Sequence, residues 1–392
     1  MVKTLKFLFS LLFVVGLFNI GEATHLVGGS MSYTYVGQKA NGNREYRVSI
    51  KMYRDCAASS VIFDDVIGVA VYNNNPSRSF YSEFNFSKIE EKSVDPPNGT
   101  NCPAIDEVCL REAFYERIIE LPPSAVGYHL YFYRCCRNSQ MNIFDDEGQT
   151  YYAFIPPSSV INSSPRFIGV PAPFICVNDT TEYLNMTVDP DGDSLVYRLV
   201  HPWAGGDAQF PTMDIPPANL PNPIPTVQYR FGHNANIPFG SNGFAGIDRD
   251  NGLTTYFAPR EGRYAIAIEV SEFRNGILIS TVRLDVQMIV IRCTPNRTPV
   301  ISSVSGFNHE VTVGQQICFD IGASDFDNPG QDVTISGSGE IFTGEGGWVG
   351  PTATFSTSTG NRTVTSKFCW TPSCDQVSET PYVFAIEALD KG

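Results

Sequence analysis

The chain has 392 residues, 10 cysteines and a formal net charge of −14. A chain this acidic has no basic patch that could release phosphate counterions, so nucleic acids and anionic membrane surfaces are disfavoured as partners. The same charge favours divalent cations, and the length allows about three domains of ordinary size.

The first 23 residues have the pattern of a secretory signal peptide. Lys3 and Lys6 precede an apolar run over residues 7–18, and Ala23 ends a small-x-small cleavage site, so Thr24 is the predicted mature N-terminus. The run is shorter than the ~20 residues that span a bilayer, and no later segment is apolar for that length. All cysteines follow the signal, which suits an oxidising compartment. We therefore expect an exported protein, extracellular or at the outer-membrane surface, without a transmembrane segment.

Residues 24–170 form the first predicted unit, an N-terminal β-domain. Short runs of β-branched and aromatic residues alternate with Gly, Pro, Asn and Asp, which is typical of strands joined by turns. Helical periodicity is scarce: residues 106–121 are the best helix candidate, although residues 117–121 could equally form a strand. The predicted strands lie near residues 32–35, 46–53, 67–72, 129–133 and 151–155.

Residues 171–294 and 295–392 are predicted to be two copies of one β-sandwich module. Three landmarks recur in the same order at domain-sized spacing, which indicates an internal repeat. Large apolar side chains alternate along residues 264–270, as in a strand with one face on a core. The second copy is expected to be truncated at its C-terminal edge and to continue beyond Gly392. The echoed pairs are residues 189–191 and 325–327, 256–259 and 369–372, and 263–272 and 381–390.

Two acidic segments offer the ligands that a hard divalent cation prefers. The three aspartates within residues 189–193 are crowded on one predicted turn, where a cation with oxygen ligands would relieve their repulsion. The alternative is a solvated turn, since Asp, Gly, Asn and Pro are ordinary turn residues. Residues 248–252 are also acidic, but their Asn-Gly ending mainly predicts a hairpin. The predicted calcium ligands are Asp189, Asp191, Asp193 and Glu269 in the second unit, and Asp325, Asp327, Asn328, Asp332 and Glu387 in the third.

The cysteines predict disulfide bridges rather than zinc, because the paired Cys-x2-Cys spacing of zinc sites is missing. One pair falls on strands predicted to be neighbours, one closes a small loop and one brackets the second unit. Two adjacent cysteines should have different partners, because neighbouring strand residues face opposite sides. One of these two and Cys374 stay unassigned, and Cys374 would have its partner beyond Gly392. The predicted pairs are Cys318–Cys369, Cys102–Cys109 and Cys176–Cys293, together with Cys56 bonded to Cys135 or Cys136.

A series of short motifs follows one order along nearly the whole chain after the signal. They are residues 25–29 (HLVGG), 53–56 (YRDC), 133–138 (YRCCRN), 162–167 (NSSPRF), 189–197 (DPDGDSLVY), 272–276 (EFRNG) and 368–374 (FCWTPSC). This series resembles large secreted proteins of the Bacteroidota that are labelled gliding-motility-associated or PKD-domain proteins.

The resemblance implies Ig-like or cadherin-like modules with calcium at their junctions, and a type IX sorting domain that would lie beyond Gly392. It implies an adhesin-like role at the cell surface, without catalysis, toward a glycan or protein ligand. It also implies O-glycosylation at Thr180 and Ser194, which stand in Asp-Thr-Thr and Asp-Ser-Leu patterns. A sugar on Ser194 would compete with a cation at the acidic turn.

Two other functions remain open. The chain has no His-Glu-x-x-His, Gly-x-Ser-x-Gly or phosphate-binding glycine loop, but glycoside hydrolysis needs only two carboxylates at a set separation. Polysaccharide binding is the stronger alternative, since exposed aromatic rings stack on sugars, whereas alternate aromatics of a strand usually fill a core. The aromatics in question are Tyr128, Tyr131, Phe132, Tyr133, Tyr151, Tyr152 and Trp203.

Overall fold

A computed structural model describes residues 26–55, 62–94, 110–145, 147–169, 174–207, 209–293, 299–303, 306, 308–326, 330–344, 348–378 and 381–390. The predicted signal peptide, together with Cys56, Cys102, Cys109, Asp327 and Asn328, lies outside the described residues. Within them the regular secondary structure is almost entirely β-strand, with one short helix, α1 (Glu340–Thr343), and a 3-10 turn at Cys374–Gln376. The predicted all-β sandwich class is confirmed.

Most strands of the first two units belong to one large sheet. The strands of these units are β1 (Leu26–Gln38), β2 (Arg44–Asp55), β3 (Val66–Asn73), β4 (Phe80–Val94), β5 (Leu110–Leu121), β6 (Tyr128–Arg134), β7 (Gln149–Ile155), β8 (Arg166–Phe167), β9 (Phe174–Cys176), β10 (Thr180–Leu184), β11 (Thr187–Val188), β12 (Ser194–Val200), β13 (Phe244–Ile247), β14 (Leu253–Phe257), β15 (Gly262–Arg274) and β16 (Ile277–Ile291). The large sheet has the order β12-β15-β16-β1-β2-β5-β4-β3-β6-β7, with β9 parallel on β16.

Alternation of side chains explains how this sheet forms its core. In β2, Tyr46, Val48, Ile50 and Met52 are all buried, and the residues between them are polar. Successive side chains of a strand point to opposite faces, so these four residues lie on one face and exclude water together. The sequence offered residues 106–121 as a helix candidate. Of these, residues 110–121 are described, and they form strand β5, which is hydrogen-bonded to β2 on one side and to β4 on the other, so the helix prediction is wrong there.

The sheet crosses the boundary predicted between residues 170 and 171. Strand β1 of the first unit pairs with β16 of the second, and Gly28 lies opposite Val286. A Cβ atom on Gly28 would lie 2.0 Å from the Asp285 carbonyl oxygen, so this close approach requires glycine. The first two predicted units are therefore joined by backbone hydrogen bonds as well as by the chain.

A smaller sheet, β10-β14-β13, supplies the opposite layer of the second unit. Tyr256 and Ala258 of this layer pack with Tyr264 and Ile266 of β15 and with Met288 of β16 in one buried cluster. Strands β8 and β11 form a separate two-stranded ribbon beside it. The ribbon leads directly into the acidic turn before β12.

The third unit is a sandwich of two three-stranded sheets, β17-β18-β21 and β20-β19-β22. Its core includes Ile321, Ala323, Val333, Ile335 and Val364. Its strands are β17 (Val300–Ser303), β18 (Ile317–Ser324), β19 (Asp332–Ser338), β20 (Ser358–Asn361), β21 (Thr363–Trp370) and β22 (Ala385–Asp390).

The internal repeat is visible in the strand pairing. In the second unit the strand after the acidic turn, β12, pairs with β15, and Leu195 lies opposite Glu272. In the third unit β19 pairs with β22 in the same antiparallel way, and Val333 lies opposite Asp390. Glu272 and Asp390 end the echoed ten-residue segments, so the two registers are equivalent. Truncation of the third unit stays a prediction.

Two disulfides join the cysteines that the sequence pairs. Cys176 is bonded to Cys293 with their Cα atoms 5.4 Å apart, and Cys318 is bonded to Cys369 with a Cα separation of 4.2 Å. Cys318 and Cys369 lie directly opposite each other on β18 and β21, which is the predicted neighbour relation. Cys374 is exposed and free.

The prediction for the adjacent cysteines is wrong in one respect. Cys135 and Cys136 are bonded to each other instead of to different partners. They follow the end of β6 at Arg134, so the strand alternation that would point them to opposite faces no longer applies. The partner predicted for one of them, Cys56, lies outside the described residues.

The aromatic residues considered for sugar stacking belong to the core. Tyr128, Tyr131, Phe132, Tyr151 and Trp203 are each at most 9% exposed. Tyr133 and Tyr152 are partly buried and pack against the same cluster. These rings therefore fill the interior of the sheet rather than form a flat exposed platform.

Because His129 is buried, we expect the folded protein to lose stability in acid. Its ring nitrogens contact the Tyr152 hydroxyl at 2.7 Å and the Asn74 Oδ1 atom at 3.0 Å, and burial, with a smaller effect of Arg78, lowers its pKa to about 4. The unfolded pKa is about 6.5, so the unfolded chain takes up the proton first as pH falls from about 6.5 to 4. Over that window the native state should lose about 3 kcal/mol through this residue.

The measurement is urea unfolding at pH 7.5 and pH 4.5 for the wild type and His129→Gln. The wild type should lose more stability on acidification than the variant, because glutamine cannot titrate. Equal losses in the two proteins would contradict the assignment.

Candidate functional site

Four carboxylates meet at one end of β15. Asp189, Asp191 and Asp193 lie on the turn between β11 and β12, and Glu272 comes from β15. One oxygen of each residue lies within 4.8 Å of one oxygen of every other. We call these four residues the carboxylate cluster.

The aspartate turn is held by its own backbone. The Oδ1 atom of Asp189 accepts hydrogen bonds from the amides of Asp191 and Asp193, both at 3.0 Å. Gly192 has a φ of 76°, a left-handed conformation that glycine adopts without steric cost. Because Ser194 lies opposite Phe273, the strand register delivers this turn to the end of β15, beside Glu272.

Glu272 is the most buried member of the carboxylate cluster, with no exposed surface. Its Oε2 atom accepts hydrogen bonds from the Ser280 hydroxyl at 2.5 Å and the Asn162 amide at 3.1 Å, and its carboxyl is also hydrogen-bonded to the Asp193 carboxyl. Burial, reinforced by the neighbouring Asp193 carboxyl, raises the pKa of Glu272 to about 9. Burial likewise raises the pKa of Asp189 to about 6, and its buried Oδ2 atom has no hydrogen-bond partner among the described residues.

One arginine compensates part of this charge. Arg274 donates to both oxygens of Asp193, with Nη2 at 2.5 Å from Oδ2, and more distantly to Asp191 at 3.5 Å. Burial alone would raise the pKa of Asp193, but the hydrogen bonds from Arg274 hold it below its usual value. Arg274 also donates to the Ile161 carbonyl and the Asn162 side chain. The carboxylate cluster is thus tied to the loop that precedes β8.

The prediction that Glu269 completes this site is wrong. Glu269 lies opposite Arg198 on β12 and Arg283 on β16, and its carboxylate accepts hydrogen bonds from both arginines. Glu272 is three positions further along β15, so it points to the other face. That face carries the apolar residues Tyr264, Ile266, Ile268 and Val270. An acid that continues this apolar alternation on a predicted core face is the sequence signal that could have identified Glu272.

The ligands predicted for the third unit also lie in different surroundings from one another. Asp332 is exposed and Glu387 lies opposite Ser336, four positions along β19 from Asp332. Asp390 is buried at the register position equivalent to Glu272, and Asp325 is buried on the acidic turn. The sequence reasoning therefore chose the wrong acid on the first echoed strand, and on the second strand Asp390 stands at the register position of Glu272.

The remaining predicted features lie on the surface. Asp248 accepts hydrogen bonds from the amides of Asp250 and Asn251 in the turn between β13 and β14, so residues 248–252 do form the predicted hairpin. Thr180 and Ser194 are both exposed, each at the first position of its strand. Their side chains are open to solvent, as a glycosylation site requires.

No protein-family model matches this chain, and no curated protein matches it. Among the described residues, none of the helical segments has the length and hydropathy needed to cross a membrane.

Proposed function

We propose that this protein is an exported, non-catalytic, adhesin-like protein that acts outside the cell or at the outer-membrane surface. The observation that carries the proposal is the pair of equivalent sandwich units, each with its own disulfide, Cys176–Cys293 and Cys318–Cys369. Disulfides form and persist in oxidising environments, which include the periplasm, secreted proteins and cell surfaces. The predicted signal peptide at residues 1–23 supplies the route.

We propose membership of the gliding-motility-associated, PKD-domain group of the Bacteroidota on the ordered motifs alone. Several of these motifs occupy special positions in the fold. Residues 189–193 form the turn of the carboxylate cluster, residues 272–276 form the hairpin that closes it, and Cys369 stands in a disulfide.

Adhesion is preferred to polysaccharide capture because of the aromatic residues. The seven rings considered for stacking fill or line the core, so the alternative loses the side chains on which it depended. The predicted ligand is a surface glycan or a protein, contacted by the exposed faces of the modules.

The test uses the organism that carries the gene. Deleting the gene is expected to reduce attachment of cells to clean glass several-fold, and a plasmid copy of the gene should restore it. A plasmid copy lacking codons 2–23 serves as the matched control, because it encodes the same mature sequence without the export route. Unchanged attachment after deletion, or restoration by the leaderless copy, would overturn the proposal.

A further inference from the structure

We infer that the open edge of β22 binds one extended segment of a separate polypeptide, which adds to the sheet β20-β19-β22 as an antiparallel fourth strand. The segment that fits carries a basic residue between two large apolar residues. The inference rests on the repeat between the second and third units, and it holds whether or not the protein is an adhesin.

Strand β22 lies at the end of its sheet. It pairs with β19 on one side, and no strand among the described residues pairs with its other side. The equivalent strand of the second unit, β15, is paired on both sides, with β12 on one and with β16 along its whole length on the other. An exposed strand edge is a template for the addition of another strand. The open side of β22 is the side on which β16 extends the sheet of the second unit.

The core beneath this edge is incompletely covered. In the second unit Ile268 and Val270 of β15 are fully buried. The residues at the same positions of the repeat are Ile386 and Ala388, which pack against the core of the third unit but stay partly exposed. Because removal of apolar surface from water favours association, a strand that brings apolar side chains to this edge would complete the burial.

Strand β16 shows which side chains such a segment needs. Leu284 and Val282 lie opposite the two buried β15 residues named above, and both are themselves buried. Arg283, between them, points to the other face of the sheet and donates to Glu269 at 2.7 Å. The same register on β22 requires two large apolar residues with one basic residue between them.

Glu387 on β22 lacks the two arginines that its counterpart has. Glu269 accepts hydrogen bonds from Arg198 on β12 and from Arg283 on β16. The residue of β19 opposite Glu387 is Ser336, and in the described part of the chain no basic side chain is bonded to Glu387, which is exposed. Opposite charges on directly opposed residues stabilise a strand pair, and like charges destabilise it. The residue that the partner places opposite Glu387 is therefore expected to be arginine or lysine.

A second copy of this chain is a poorer occupant of the edge. If two β22 strands paired with each other, Glu387 and Asp390 of each would face a strand that contains no basic residue. Their like charges would repel across the pair. The chemistry of the edge thus favours a segment of different sequence from a separate polypeptide.

The experiment measures binding of a labelled synthetic peptide, a copy of residues 280–288 of β16, to the full mature chain by fluorescence anisotropy. Binding should be saturable. A peptide with Arg283→Glu should bind several-fold more weakly, because its glutamate would lie opposite Glu387. The protein variant Glu387→Arg should reverse this preference. The matched control is Asp332→Arg, the same charge reversal at an exposed acid of β19, which is paired on both sides, and it should keep the wild-type preference.

Hydrogen exchange of the wild type locates the peptide independently of any variant. Bound peptide should slow the exchange of backbone amides in residues 385–390 and leave those of β15 unchanged, because both edges of β15 are already paired. Lack of saturable binding, or protection by the peptide elsewhere but not at β22, would overturn the inference. The same peptide preference in the wild type and in folded Glu387→Arg protein would also overturn it.

Discussion

Replacing Asp285 with alanine is expected to destabilise the folded protein by about 3–5 kcal/mol, because it leaves a buried arginine without its counter-ion. Arg137 and Asp285 form a two-pronged ion pair, with Nη1 of Arg137 2.6 Å from Oδ1 of Asp285. The two side chains are only 1% and 8% exposed. Arg137 also donates to the carbonyls of Gly148 and Trp203, so it joins the end of β6, the start of β7 and the segment after β12 to β16.

The matched control is Asp320→Ala in the third unit. Asp320 pairs with Lys367 at 3.4 Å, but the two side chains are 46% and 63% exposed. An exposed pair of this kind contributes about 0–1 kcal/mol. The measurement is the free energy of unfolding in urea for the two variants. Equal, small losses would contradict the role assigned to the buried pair.

Removing the Cys176–Cys293 bridge is the second change with a large expected effect. The bonded residues are 117 positions apart, and chain-entropy estimates for a loop of that length give about 5 kcal/mol. The bridge also pins β9 to the end of β16, where the two strands pair in parallel. The double variant Cys176→Ala, Cys293→Ala should therefore unfold at a much lower urea concentration than the wild type.

Two comparisons isolate the effect of this bridge. Cys374→Ala removes an exposed free thiol and should leave stability unchanged. The wild type treated with reductant should approach or fall below the stability of the double variant. A double variant as stable as Cys374→Ala would show that the bridge constrains nothing.

The sequence predicts the strands better than it predicts their partners. The alternation at Tyr46 to Met52 and at Tyr264 to Val270 identifies β2 and β15, because period-two patterning is a local property. The pairing of β1 with β16 depends on residues about 250 positions apart and on a glycine that permits close approach. No local pattern encodes that pairing, so the continuous sheet across residues 170 and 171 could not be predicted.

The sequence predicts the aspartate turn of the candidate site but not Glu272, the buried acid beside it. Asp189, Asp191 and Asp193 are adjacent in sequence, so their proximity follows from a single turn. The fourth acid, Glu272, lies beside the turn because of the register of β12 on β15, which places Leu195 opposite Glu272. Glu269 instead accepts hydrogen bonds from two arginines. The prediction of different partners for Cys135 and Cys136 was wrong for a related reason, because strand alternation was applied beyond the end of β6.

The claim that the protein works outside the cell is tested most directly by adding a membrane-impermeant protease to intact cells. The protein should be cleaved from intact cells or recovered from the medium, with Cys176–Cys293 and Cys318–Cys369 oxidised when its peptides are mapped. A protein that resists the protease until the cells are lysed, and whose four cysteines are then found as free thiols, would contradict the claim.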